Sequence, residues 1–125
     1  MSNTAIISVV DDDESVRIAL EGLLRSSGYT VRTYANALDF LTYSGPEQTA
    51  CLILDITMPG MSGIQMYNEL ADQGIHIPVI FITGHLAPMP RVKAGAVEPV
   101  AFFPKPFHCA ELIASIDSVL NRPVG

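Results

Sequence analysis

Residues 50–63 read ACLILDITMPGMSG. A short continuous apolar run ends in one carboxylate, Asp55, and gives way to a loop rich in proline and glycine. An apolar run this short, bounded by turn residues, suits a strand buried on both faces. Ser62 then stands where a helix N-cap belongs, and Ile64, Met66, Tyr67 and Leu70 follow at helical spacing up to Gly74. A strand covered on both faces that leads into an amphipathic helix is the repeating unit of a parallel sheet.

The same unit recurs on either side. Residues 5–10 (AIISVV) read as a buried strand, followed by a helix over Glu14–Ser27 with Val16, Ala19, Leu20, Leu23 and Leu24 on one face and Gly28 as its left-handed cap. Residues 29–34 (YTVRTY) alternate as a strand does, and Asn36 can cap a short helix ending near Gly45 and Pro46. Pro78 opens the strand VIFIT, residues 100–103 (VAFF) form another, and a last helix runs from about Cys109 to Asn121. Leu112, Ile113, Ile116, Val119 and Leu120 make its apolar face. Five strands alternating with helices predict an α/β fold, a parallel sheet with helices on both faces.

The chain has 125 residues, which suits one domain over 1–125, with 122–125 as its tail or the start of a linker. With 49% hydrophobic and only 16% charged residues it has material for a generous core. The net charge of −6 argues against direct nucleic-acid binding or a membrane surface. No signal-peptide pattern and no apolar run of bilayer length is visible, so the expected setting is cytoplasmic. Cys51 and Cys109 have no metal-type spacing, and Cys51 reads as a small core residue. His76, His85 and His108 have no ligand spacing either.

Open parallel sheets bind ligands at the carboxyl ends of their strands. Asp11 and Asp12 follow the first predicted strand, Asp55 the third, Thr83 ends the fourth, and Lys105 lies just past the fifth. For the triplet Asp11–Asp13 alone, helix capping and metal binding are both open, because Asp suits an N-cap and the positive end of a helix. The gathering of acids on one edge favours a metal for Asp11 and Asp12, while Asp13 reads as the cap. Converging carboxylates repel one another unless a cation offsets them, and hard oxygen ligands favour Mg²⁺ or Mn²⁺. A carboxylate placed like Asp55 can take up a phosphoryl group as an acyl phosphate. Lys105 offers an ammonium and Thr83 a hydroxyl to the phosphoryl oxygens.

With "VVDDDE", "LILDITMPGMSG", "VIFITGH" and "KPF" in this order and spacing, the chain resembles the receiver domains of two-component response regulators over essentially its whole length. The resemblance implies a flavodoxin-like three-layer sandwich with strand order 2-1-3-4-5. It implies that Asp55 is the phosphoacceptor, that Asp12 ligates the metal directly with Asp11 acting through water, and that the Thr57 carbonyl completes the metal site. Thr83 and Lys105 match the pair that contacts the phosphoryl group, and Phe102 matches the rotating aromatic of the switch. It further implies a histidine kinase as phosphodonor, and a domain that assists its own phosphotransfer and slow autodephosphorylation without being a turnover enzyme. The output, a transcription-regulating domain or a partner protein, would lie outside this chain.

An aspartyl-phosphate phosphohydrolase would need a second Asp two residues after the nucleophile, where Thr57 stands. A flavin module would need a neutral or glycine-rich loop after the first strand, where three aspartates stand. The remaining alternative is a degenerate receiver acting as a phosphorylation-independent interaction module. Local features add further expectations: His85, two residues past Thr83, would affect water access, and the tight turn implied by the resemblance makes Lys105–Pro106 cis. The chain departs from the family between Thr83 and Lys105. Five of nine prolines lie between 88 and 106, and "KAGAVEPVAFF" carries about three extra residues. The helix before the fifth strand should therefore be short and irregular, starting no earlier than Met89 and ending near Gly95, with an irregular segment around Glu98 and Pro99 after it. Use of that face for dimerisation is correspondingly doubtful.

Overall fold

The computed structural model describes residues 5–42, 48–56, 58, 60–75, 77–83, 101–104 and 109–120. The elements are β1 (Ile6–Val10), α1 (Glu14–Ser26), β2 (Thr30–Tyr34), α2 (Ala37–Thr42), β3 (Cys51–Asp55), α3 (Gly63–Asp72), β4 (Val79–Thr83), β5 (Ala101–Pro104) and α4 (Cys109–Leu120). The strands form one parallel sheet in the order β2-β1-β3-β4-β5, the flavodoxin-like arrangement expected.

Alternation of side chains along the strands sends residues to two separate cores. Ile7, Val9, Ile53, Ile80 and Ile82 pack with Leu20 and Leu24 of α1 and Leu112 and Ile116 of α4. Val10, Leu52, Leu54 and Phe81 pack on the other face with Phe40 of α2 and Met66, Tyr67 and Leu70 of α3. All five residues of β3 and of β4 are buried, which explains their uninterrupted apolar reading. β2, at the sheet edge, instead alternates at its start. Each fully buried Leu, Ile or Phe contributes about 1.5–3 kcal/mol of transfer free energy, so the two cores hold the sheet rigidly between the helix layers.

The helix ends follow the capping chemistry read from the sequence. The Asp13 carboxylate accepts the Ser15 N–H at 2.9 Å, and the Asn36 side-chain oxygen accepts the Asp39 N–H at 2.8 Å. Gly28 and Gly74 take φ of 95° and 73° after α1 and α3. At the end of α1 the N–H groups of Gly28 and Tyr29 reach the carbonyls of Arg25 and Leu24; at the end of α3 those of Gly74 and Ile75 reach Ala71 and Leu70. Both sets are Schellman pairs, which satisfy the last helical carbonyls and require the left-handed residue. This also corrects one boundary. Tyr29 is committed to the α1 cap and its ring to the core, so β2 begins at Thr30. The Tyr29 hydroxyl hydrogen-bonds the Asp117 carboxylate, joining the α1–β2 turn to α4.

The expectations for a short helix ending near Gly95, for an irregular segment at Glu98 and Pro99, and for a cis Lys105–Pro106 bond lie outside the described residues.

Candidate functional site

The first acidic strand end is organised by hydrogen bonds. The Asp11 N–H donates to the Tyr34 carbonyl at 3.1 Å, extending the β1–β2 pairing past Val10 and carrying Asp11 into full burial. Its Oδ1 accepts the Asp13 N–H at 2.9 Å. Asp13 caps α1 as expected, which separates the triplet into one buried carboxylate, one exposed carboxylate (Asp12) and one cap. The Arg17 guanidinium donates through Nη1 to the Asp11 carbonyl at 2.8 Å, a contact that the sequence reading missed.

The second acidic strand end is organised by packing. Asp55 is only 3% exposed and stands opposite Ile82, and the next N–H, of Ile56, donates to the Ile82 carbonyl at 3.0 Å. α3 starts directly over this point. The Gly63 N–H donates to the Ile56 carbonyl at 2.9 Å, and a Cβ on Gly63 would lie 2.2 Å from the Asp55 carbonyl oxygen. No side chain fits there, so glycine is what lets the helix meet the strand end. Ser62 and Gln65 fix the start of α3 by a reciprocal capping box: the Gln65 N–H donates to Ser62 Oγ, and the Ser62 N–H to the Gln65 side-chain oxygen.

The two ends converge. Val10 pairs with Leu54, which brings Asp11 and Asp55 to the same level of the sheet. Carboxylate oxygens of Asp11, Asp12 and Asp55 all lie within 4.8 Å of one another. An all-carboxylate donor set, with two members buried and one facing solvent, fits a hard divalent cation that keeps part of its water shell. Soft-metal chemistry finds no support at the β3 thiol. Cys51 sits at the opposite end of the strand, fully buried, with its pKa pushed up to about 12 by desolvation against a weaker opposing backbone hydrogen bond.

Thr83, 7% exposed, ends β4 opposite Pro104. Phe102 stands in β5 opposite Phe81, and its side chain lies outside the described structure. Phe103 packs partly buried against the α1 and α4 core. Thr57, Gly84, His76, His85, Lys105 and His108 lie outside the described residues. Among the described residues, no helix is long and apolar enough to cross a membrane.

Fold and site together define a flavodoxin-like α/β domain with a carboxylate cluster at the carboxyl edge of its sheet. Residues 7–117 match the response regulator receiver domain, and the chain belongs to that family. It is 43% identical over 124 residues to Nodulation protein W of Bradyrhizobium diazoefficiens, covering 97% of this chain and 53% of that protein. Among solved structures it is similar to the response regulator StyR, with a TM-score of 0.83 and 43% identity over 95% of this chain and 60% of that one. It also matches the structure described as FixJ-N, with a TM-score of 0.78 and 30% identity over 98% of each chain. The chain thus spans about half the length of the curated relative it matches. As a receiver domain it is a phosphorylation-dependent signalling switch.

Proposed function

We propose that Asp55 is the phosphoacceptor of this receiver and that a histidine kinase is its donor. The convergence of Asp11, Asp12 and Asp55 at one strand edge carries this reading, because a buried nucleophilic carboxylate beside two others needs a counter-cation before a phosphoryl group can approach. Asp11, Asp12, Asp55 and the Thr57 carbonyl would hold Mg²⁺ or Mn²⁺, which when bound offsets charge on the phosphoryl oxygens. An Asp55 oxygen attacks the phosphorus of the phosphohistidine. The new P–O bond forms as the P–N bond breaks, and the imidazole leaves with a proton. The Thr83 hydroxyl and Lys105 ammonium then bind phosphoryl oxygens, and movement of Thr83 makes room for Phe102 to turn inward. A switch of this kind needs two states separated by only a few kcal/mol.

The domain assists its own phosphotransfer and loses the phosphoryl group slowly to water, without turning over an external substrate. Residues 1–125 act as one receiver in the cytoplasm, with 122–125 leading out of it. The output lies in a domain or partner beyond this sequence, with no nucleic acid or membrane bound by the receiver itself. The acidic triad argues against the phosphorylation-independent alternative, since a purely docking surface has no use for three mutually repelling carboxylates.

Mass spectrometry after incubation with acetyl phosphate tests the assignment. Wild type should gain one phosphoryl group only with Mg²⁺ present, and Asp55→Asn should gain none. Modification that persists in Asp55→Asn, or in wild type treated with EDTA, would overturn it.

A further inference from the structure

Arg17 sits in the first turns of α1, where the helix dipole disfavours a positive charge. Its own N–H makes an early backbone bond of the helix, to the Asp13 carbonyl. Instead of running out to solvent, the half-buried side chain folds back across the loop to the Asp11 carbonyl, at 2.8 Å. That carbonyl belongs to the peptide joining Asp11 to Asp12, so peptide geometry holds the donating nitrogen within about 6 Å of the Asp12 Cα. The other two described arginines are engaged elsewhere, Arg25 with Glu21 and the Val31 carbonyl, and Arg32 with Gln48. Among the described residues, Arg17 is therefore the cation held on the loop that carries Asp11 and Asp12.

We propose that Arg17 is a resident counter-charge that competes with the divalent cation and thereby sets its affinity. The inference rests on the reading of Asp11, Asp12 and Asp55 as the metal site. A guanidinium held on the Asp11–Asp12 peptide and a divalent cation drawn to the adjoining carboxylates repel each other, so each weakens the hold of the site on the other. Arg17 stabilises the metal-free site and keeps metal binding weak enough to be reversible. Arg17 is a positioning residue as well, because its hydrogen bond fixes the peptide from which both carboxylates hang.

Calorimetric titration of the intact protein with MgCl₂, at low and high ionic strength, separates these roles. Arg17→Gln keeps a donor but removes the charge, and should tighten the Mg²⁺ Kd about 3- to 10-fold at low ionic strength. The difference should shrink in high salt, which a purely structural role would not do. Arg17→Met, which preserves most of the apolar stem, should tighten it similarly and serves if the Gln variant does not fold. Arg17→Lys, which restores the charge, should stay within about twofold of wild type. Unchanged or weaker Mg²⁺ binding in the neutral variants, or a Lys variant that behaves like them, would overturn the proposal while leaving the metal site intact. A wild type with no saturable Mg²⁺ binding would overturn the metal-site reading and this inference with it.

Discussion

Asp55 and Asp12 offer oxygens within 4.8 Å of each other, yet Asp55 is buried and Asp12 faces solvent. The difference lies in how each strand end is held. Asp55 is pinned by backbone, since α3 lands on the Asp55–Ile56 peptide and leaves no room for a Cβ at Gly63. Asp12 hangs from a loop fixed by hydrogen bonds: Asp13 N–H to Asp11, Ser15 N–H to Asp13, and Arg17 to the Asp11 carbonyl. Packing tolerates no added atoms but needs no particular charge. A hydrogen-bonded loop tolerates change of shape but depends on charge. A site that must keep its nucleophile still while admitting a cation from solvent benefits from one wall of each kind.

The sharpest way to break this contrast is Gly63→Ala. The new Cβ forces backbone to move at Asp55, and unfolding by urea should show a loss of about 3 kcal/mol. A loss below about 1 kcal/mol would mean that α3 does not fix the strand end. Removing one cap from each wall should cost less. Ser62→Ala and Asp13→Ala should each lose about 1 kcal/mol. Their double mutant should lose the sum to within about 0.5 kcal/mol if the two walls are independent. Marked non-additivity would show that the walls share their support.

A smaller effect, of opposite sign, is expected at Asp12 itself. Asp12→Asn removes one repelling charge, so in EDTA the protein should be more stable than wild type by a few tenths of a kcal/mol. Added Mg²⁺ should then stabilise the variant less than wild type. A destabilised metal-free Asp12→Asn would show that Asp12 is held by more than an open loop.

No effect at all is expected at the other end of β3. Burial raises the Cys51 pKa from 9.0 to about 12, so the neutral thiol is the form kept in the folded protein. The stability tied to that thiol is present below pH 9.0 and fades as pH rises towards 12. Alkylation mapped by peptide mass spectrometry at about pH 8 should leave Cys51 unmodified until the protein unfolds. Labelling in the native state would mean that β3 opens locally.

What was legible in the sequence was local. The apolar runs of β1, β3 and β4, the caps at Asp13, Asn36 and Ser62, the left-handed Gly28 and the helix stop at Gly74 are set by neighbours a few residues away, and all are found. The three acids were legible because strand ends collect on one edge once the strands are parallel. The demands on Gly63 and Arg17 were not. A glycine before a helix reads as loop chemistry until the helix is seen resting on the Asp55 carbonyl. Arg17 reads as a solvated face until the loop curls its carbonyl inward. The Tyr29–Asp117 hydrogen bond joins residues 88 positions apart, and periodicity carries no information over that span.

The strand order has a consequence for how the molecule is made. β1 lies inside the sheet although it leaves the ribosome before the other strands, with β2 joining one side and β3 the other. β4 and β5 then extend the side begun by β3. Every later strand therefore adds to an edge that already exists, and none has to be threaded between two formed neighbours. Asp11 and Asp12 precede Asp55 in the chain, so the pairing of β3 with β1 is the step that brings the three acids together. Strands that pair across long stretches of sequence fold slowly, and vectorial growth from the middle outward limits how long an unpaired edge waits for its partner.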